Sequence, residues 1–215
     1  MKDRYFLVAG LILLVTLGAT LLLYPRLPGT VPVHWNIHGQ VDRYASKCEG
    51  LLLIPAVMAG LMLLMAALPW LSPKKYEVNG KRPGYLEMMI VLLVFFAYVH
   101  LALLTVDAGR HLNASKAVLG GVCAMFAAVG PVLPRLPRNF YVGVRTPWTL
   151  ASEQVWEATH RFAAKCFTGA GLAGLVTTFA GGAFWATALS LGIGATAPVV
   201  YSLVTYKERE RRGEV

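Results

Sequence analysis

Residues 167–206 read FTGAGLAGLVTTFAGGAFWATALSLGIGATAPVVYSLVTY, about 40 consecutive residues without a charged side chain. A helix needs about 20 apolar residues to cross the hydrocarbon core of a bilayer, so this stretch is too long for one span. Gly181 and Gly182 stand side by side near its middle and favour a turn. We therefore expect two membrane-spanning helices that fold back on each other. Small residues recur in both halves and allow close helix packing in lipid; they include Gly169, Gly171, Gly174, Gly192 and Gly194.

Four further apolar runs of about this length precede the stretch. They cover Tyr5–Tyr24, Leu51–Leu71, Leu86–Val106 and Ala117–Leu133. Together the six runs predict an all-α polytopic membrane protein, with a single transmembrane bundle over residues 1–215. The composition agrees, because 56% of the residues are hydrophobic and only 14% are charged, against about 25% charged residues in soluble domains.

The distribution of positive charge predicts the orientation of these helices. The chain carries a formal net charge of +9, and six spans place both termini on one side of the membrane. Segments on that side hold about fifteen lysines and arginines. The opposite segments hold five: Arg26, Arg43, Lys47, Arg110 and Lys116. By the positive-inside rule, we expect cytoplasmic N and C termini, with the basic excess also attracting anionic membrane lipids.

The same composition excludes other classes of protein. A nucleic-acid-binding protein needs a polar surface that carries its basic residues, and the long uncharged runs leave little of one. We therefore expect no direct nucleic-acid partner. The three cysteines, Cys48, Cys123 and Cys166, are widely separated, so their spacing predicts neither a disulfide framework nor a cysteine metal site.

The first loop, residues 25–50, reads PRLPGTVPVHWNIHGQVDRYASKCEG and is expected to face outward. Apolar and polar residues alternate over 31–36, which predicts a short extended segment with His34 and Asn36 on one face. A turn follows, and two imidazoles and a carboxylate, from His34, His38 and Asp42, could converge as zinc ligands. The alternative is that these side chains bond the loop's own backbone while Trp35 anchors at the membrane interface.

Two ionisable residues of the third span lie toward the same outer side. His100 and Asp107 are seven residues apart and share one helix face. Ionisable groups in spans carry a functional hypothesis by default, because their burial in lipid is costly. A metal or proton site shared by His34, His38, His100 and Asp107 is therefore a second possibility.

The second loop, residues 134–166, reads PRLPRNFYVGVRTPWTLASEQVWEATHRFAAKC and is expected to face the cytoplasm. Gly143 allows a turn before Arg145, whose guanidinium could bind a carboxylate, a carbonyl group or a lipid phosphate. From Ser152 onward the pattern is that of an amphipathic helix at the membrane, leading into the fifth span. The alternative is that this loop only packs under the bundle.

Both loops carry a family resemblance. The second loop resembles the signature of the SdpI family of bacterial membrane proteins, through Asn139, Gly143, Arg145, Thr146, Pro147, Trp148, Trp156, Thr159 and His160. The first loop is similar to a small domain of unknown function that precedes this signature in many members. It matches through Pro32, His34, Asn36, Gly39, Asp42 and Lys47.

The resemblance implies a non-enzymatic immunity or signalling protein of the bacterial cytoplasmic membrane. The founding member of the family protects its cell from a secreted toxic peptide and draws a cognate transcriptional repressor to the membrane. We therefore expect partner or ligand binding at His34, Asn36, Asp42, Asn139, Gly143, Arg145, Thr146, Trp148, Trp156 and His160. No cofactor is implied.

Two other functions stay open at the level of sequence. The first is a metal-dependent membrane enzyme, with zinc held at the outer face by residues from the set His34, His38, Asp42, His100 and Asp107. The second is a transporter of small solutes or lipids. Transporters usually display more polar groups at the membrane midplane than these spans offer, which makes this the weakest of the three.

Overall fold

The computed structural model describes residues 2–36, 40–74, 84–109 and 112–215. Within these ranges, six helices are long and apolar enough to cross a membrane. They are α1 (Lys2–Leu23), α2 (Lys47–Leu71), α3 (Gly84–Asp107), α4 (Ala114–Val129), α6 (Glu153–Phe179) and α7 (Phe184–Arg211), with a short helix α5 (Pro147–Ala151) before α6. The span that begins with α4 continues through a 3₁₀ helix as far as Arg135. The predicted all-α, six-span membrane architecture is confirmed, and the chain is a multi-pass membrane protein.

The boundaries of the last helices follow from local chemistry. Ser152 caps the N-terminus of α6, where its side chain accepts a hydrogen bond from the Val155 amide. The predicted interfacial helix and the fifth span form one continuous helix, because no residue between them breaks the pattern. The turn between α6 and α7 lies at the predicted glycines, and Gly181 adopts a φ of 80° that favours glycine.

The first loop contains a β-hairpin rather than one extended segment. Strands β1 (Thr30–Trp35) and β2 (Val41–Ser46) pair antiparallel, with register irregularities on either side of His34. The extended segment predicted from alternation corresponds to β1. Its partner β2 was not expected, because the sequence of β2 lacks a comparable alternation of apolar and polar residues.

The chain forms two compact units. The first contains Met1–Leu64 and Met89–Val122. Its small apolar core joins the end of α1, the start of α2 and the end of α3 through the buried side chains of Leu27, Leu51 and Leu104. The hairpin and the C-terminus of α3 therefore lie at the same end of this unit.

The second unit contains Met65–Met88 and Cys123–Val215. Helix α6 approaches α4 so closely that a Cβ atom at Gly171 would meet the backbone of Ala127 and the carbonyl oxygen of Cys123. On α7, a Cβ atom at Gly194 would overlap the Ala170 side chain. These contacts confirm the predicted close packing for Gly171 and Gly194, whereas Gly169 has open space around its Cα.

Candidate functional site

The hairpin presents an exposed pair of polar side chains. His34 Nδ1 lies 2.5 Å from Asp42 Oδ1, and the two side chains are 59% and 42% exposed. The pair links the two strands at their solvent-facing surface. Two of the predicted zinc ligands therefore contact each other directly, while the third, His38, lies outside the described residues.

Asn36 closes the hairpin. Its backbone amide donates to the Gln40 carbonyl (2.9 Å), and its side-chain oxygen accepts the Gln40 amide (3.0 Å). An asparagine that bonds backbone groups across a turn stabilises the turn itself. At Asn36 the structure thus supports the interpretation that the loop bonds its own backbone.

The base of the hairpin is fixed to the helix ends. Lys47 Nζ donates to the Leu27 carbonyl (2.9 Å) and lies 4.3 Å from the centre of the Tyr24 ring. Val31 is buried, and a Cβ atom at Gly50 would overlap its side chain. The hairpin is therefore held at its base, while Tyr44 on β2 stays 62% exposed.

His100 is buried and has a different partner from the one expected. Its Nε2 lies 2.7 Å from the hydroxyl oxygen of Thr20. The Thr20 hydroxyl donates its only hydrogen to the Thr16 carbonyl (2.9 Å), so His100 Nε2 must donate to Thr20. This hydrogen bond joins α3 to α1 within the apolar helices, as polar side chains commonly do between membrane helices.

The predicted convergence of metal ligands is not found in the part of the chain that the structure describes. No three His, Cys, Asp or Glu side chains there could hold one metal ion. His100 bonds Thr20, His34 bonds Asp42, and one carboxylate oxygen of Asp107 is buried without a described partner. His34 and His100 therefore lie in different surroundings, because His100 is buried between helices whereas His34 is on the exposed hairpin. A metal site drawn from His34, His38, Asp42, His100 and Asp107 stays a prediction, since His38 lies outside the described residues.

In the second loop, Asn139 organises the chain after the short 3₁₀ helix Gly130–Arg135. It is fully buried, and its side-chain nitrogen donates to the carbonyls of Pro137 (2.7 Å) and Val142 (3.0 Å). Its side-chain oxygen accepts the amides of Tyr141 (2.8 Å) and Val142 (2.7 Å). All of these partners are backbone groups of the same loop, so Asn139 has a structural role.

His160 and Trp156 attach this loop to α6. The His160 ring stacks on Trp156 with 4.0 Å between ring centres. His160 Nδ1 lies 2.8 Å from the Trp156 carbonyl, which can only accept, so Nδ1 carries the hydrogen and Nε2 accepts the Val144 amide (3.1 Å). The Trp156 indole donates to the Leu136 carbonyl (2.9 Å). Both buried side chains are thus used to hold the loop.

Gly143 is required by this attachment. Its φ is 114°, a backbone conformation that other residues rarely adopt. A Cβ atom at this position would also overlap His160 Nε2. The glycine predicted as a turn residue is therefore needed both for its backbone conformation and for the close approach of His160.

A pair of threonines fixes the next turn of chain. Thr146 and Thr149 form a reciprocal cap at the N-terminus of α5, each hydroxyl accepting the other's amide. The Ser202 hydroxyl on α7 donates to the Val199 carbonyl (2.7 Å) and lies 3.0 Å from the Thr146 hydroxyl. Thr149 and Ser202 were missed at the sequence level. The T-x-x-T spacing signals the cap, whereas no local pattern signals Ser202.

Arg145 differs from its neighbours because it is exposed. One guanidinium nitrogen donates to the Phe140 carbonyl, and the side chain otherwise faces outward from the loop. Trp148, at the start of α5, is half-buried. Among the predicted binding residues of this loop, Arg145 is therefore the one whose charged group is best placed to meet a partner.

An ion pair joins the start of α3 to the chain after α4. Arg135 Nη1 lies 2.7 Å from Glu87 Oε2, and the Glu87 side chain is only 19% exposed. A Cβ atom at Gly84 would meet the Arg135 carbonyl, so the start of α3 is tightly packed against the chain after α4. The Tyr141 hydroxyl donates to the Leu71 carbonyl (2.6 Å) at the end of α2. The second loop thus contacts both ends of the α2–α3 connection.

Comparisons with known proteins agree with the resemblance seen in the sequence. Residues 135–202 match the model of the SdpI/YfhL protein family, and residues 11–59 match a domain of unknown function, DUF1648. The chain is 26% identical over 173 residues to Immunity protein SdpI of Bacillus subtilis (strain 168), an alignment that covers 80% of this chain and 81% of that protein. No solved structure matches the chain. The predicted resemblance is confirmed.

Proposed function

Because the chain contains an SdpI/YfhL-family region at residues 135–202, behind a DUF1648 region at residues 11–59, we propose that it is an SdpI-like membrane immunity protein. The observation that carries the proposal is the similarity to Immunity protein SdpI over four-fifths of both chains. The proposed activity is protection of the cell from a secreted toxic peptide by binding rather than by catalysis.

The charge distribution supports an orientation with the hairpin outside. The segments next to the termini and around the second loop carry most of the lysines and arginines. The side of a membrane protein that is rich in these residues is usually cytoplasmic. In this orientation the hairpin meets secreted molecules, and the second loop meets cytoplasmic ones.

The hairpin is the proposed contact site for the toxic peptide. It is held at its base by Lys47 and Val31, so little freedom is lost on binding. Its exposed groups combine an aromatic ring, Tyr44, with the polar pair His34 and Asp42. Rigid aromatic side chains next to hydrogen-bonding groups are favourable for peptide recognition.

The second loop is the proposed contact site for a cytoplasmic partner, for which the family resemblance implies a repressor protein. The buried residues of the loop are occupied by its own backbone, which holds Arg145 in a defined place. A guanidinium with exposed donors can bind a carboxylate in two-pronged geometry. We therefore propose Arg145 as the residue that the partner contacts.

A survival assay tests both parts of this proposal. Sensitive cells that lack their own immunity protein would express the wild-type chain or a variant, and would be challenged with medium from a toxin-secreting strain. Wild-type chain should restore survival. The double variant His34→Ala/Asp42→Ala should lower protection about tenfold or more, as for a lost contact worth about 1.4 kcal/mol. Arg145→Ala should keep protection but lose recruitment of the partner to the membrane fraction.

The controls remove similar groups elsewhere. Glu49→Gln changes an exposed carboxylate at the start of α2, and Arg212→Ala removes an exposed arginine after α7; both should behave as wild type. Survival of wild-type expressers no better than that of cells without the protein would refute the immunity proposal. Equal loss of protection in Arg145→Ala and in the hairpin variant would refute the division of roles between the two loops.

A further inference from the structure

Helices α6 and α7 form an antiparallel pair whose uncharged segments differ in length. On α7, no charged residue occurs between Phe184 and Lys207, a rise of about 34 Å that matches the roughly 30 Å of a bilayer core. On α6, the uncharged segment from Cys166 to Phe179 rises only about 20 Å. Charged residues of α6 must therefore lie beside apolar residues of α7.

Contacts along the pair give the register. Near the turn, the hydroxyls of Thr177 and Thr187 are 2.7 Å apart. In the middle, the Ser190 hydroxyl donates to the Ala170 carbonyl (3.1 Å). Further along, the rings of Phe162 and Tyr201 stack with 4.3 Å between centres, and Arg209 donates to the Gln154 side chain (2.9 Å). The two helices thus run side by side over their whole length.

This register places two cations of α6 level with the uncharged segment of α7. Arg161 precedes Phe162, so it lies level with the residue after Tyr201, about 8 Å before Lys207 at 1.5 Å per residue. Lys165 lies almost one turn further in, about 13 Å before Lys207. Both cations are at depths where α7 is uncharged.

The two cations belong to an exposed stripe on α6. They are four residues apart and exposed, and the stripe continues through Leu172, Val176 and Phe179, which are 53%, 67% and 63% exposed. On α7 the exposed stripe stays apolar as far as Val204, 48% exposed, which lies nearer to Lys207 than either cation does. Measured from the turn between the two helices, the apolar surface is therefore much shorter on α6 than on α7.

We propose that Arg161 and Lys165 bind the phosphate of an anionic phospholipid whose acyl chains lie along Leu172, Val176 and Phe179. Long basic side chains next to apolar surface extend toward headgroups, and arginine in particular matches phosphate geometry. Glu157 lies 3.5 Å from Arg161 on the water side and offsets its charge, whereas Lys165, one turn further from the acidic start of α6, keeps its positive charge. A monoanionic headgroup such as phosphatidylglycerol complements that charge.

Lipid retention tests the site, and it does so independently of any toxin. The full chain would be purified from vesicles of phosphatidylcholine with phosphatidylglycerol, and bound lipid would be counted by native mass spectrometry. The wild-type chain should retain phosphatidylglycerol in preference to phosphatidylcholine. In Arg161→Gln/Lys165→Gln, retention should fall about fivefold or more, whereas Lys165→Arg should keep it.

The matched control removes the same number of charges from the end of α7, in Lys207→Gln/Arg211→Gln, and should retain lipid within about twofold of wild type. Inorganic phosphate added to the detergent solution should not displace the lipid, because phosphate alone lacks the acyl chains that contact the apolar stripe. Unchanged retention in the α6 variant, an equal loss in the α7 control, or displacement of lipid by inorganic phosphate would each overturn the proposal.

Discussion

The buried polar residues of the second loop act mainly on the loop's own backbone. Asn139 satisfies four backbone groups, and His160 bonds one carbonyl and one amide. A buried polar group that loses its partner costs about 1–3 kcal/mol, so these residues stabilise one loop conformation strongly. Residues that the sequence predicted to bind a partner thus hold the loop in place, and this loop carries the exposed Arg145.

Gly143 offers a direct test of how strongly the contact with His160 stabilises this loop conformation. Gly143→Ala forces a side chain into a backbone conformation with φ of 114° and into His160. We expect a loss of about 2–3 kcal/mol, which lowers the midpoint of thermal unfolding by about 5–10 °C in detergent. Gly29→Ala is the control, since Gly29 has open space around its Cα. Equal midpoints for the two variants would contradict the proposed role of the His160 contact.

Helix α6 has one face that contacts helices and one that does not. Glycine allows the backbones of α6 and α4 to approach at residue 171, where a Cβ atom would meet the backbone of Ala127. Two residues earlier, Gly169 is exposed. Small residues are therefore not equivalent along this helix, although the sequence shows them as one series.

Substitution of these two glycines separates packing from helix propensity. Gly171→Ala should destabilise the chain, because the backbone atoms that it meets cannot rotate away, and overpacking typically costs about 1–3 kcal/mol. Gly169→Ala should stabilise it slightly, by about 0.5–1 kcal/mol, because alanine is the better helix former. Thermal unfolding in detergent measures both. A stabilising Gly171→Ala would show that α4 and α6 are further apart than described.

The arrangement of the six spans and their charges bears on the whole molecule. The hairpin precedes α2, and Cys48 lies exposed in the first turn of that helix. Cys123 is buried and Cys166 is half-buried. The accessible thiol is therefore next to the hairpin, on the side that the charge distribution predicts to be outside.

Thiol labelling in intact cells tests this orientation. A membrane-impermeant maleimide should label the wild-type chain through Cys48, because a thiol outside the bilayer is accessible to the reagent. Cys48→Ser should abolish the labelling. If the wild-type chain reacts only after the cells are permeabilised, then the hairpin is cytoplasmic and the positive-inside prediction is wrong.

The spans, their number and the turn at Gly181 could be predicted from the sequence because length and apolarity are properties of contiguous residues. The charge asymmetry is likewise visible in the chain, and the orientation that it predicts stays a prediction. The extended segment of β1 was recognisable, whereas its pairing with β2 was not, since pairing depends on a second segment. The sequence also singled out both loops, but it could not distinguish residues that hold a loop, such as Asn139 and His160, from residues free to contact a partner.

Those roles depend on contacts between residues that are distant in the chain. His160 meets Val144 across 16 residues, Thr146 meets Ser202 across 56, and His100 meets Thr20 across 80. A histidine in a sequence looks the same whether it bonds a hydroxyl in a helix pair or an aspartate on a hairpin. Local hydrophobicity therefore specified which segments enter the membrane, and folding then assigned each polar side chain its partner, because a hydrogen bond forms only between atoms brought within about 3 Å.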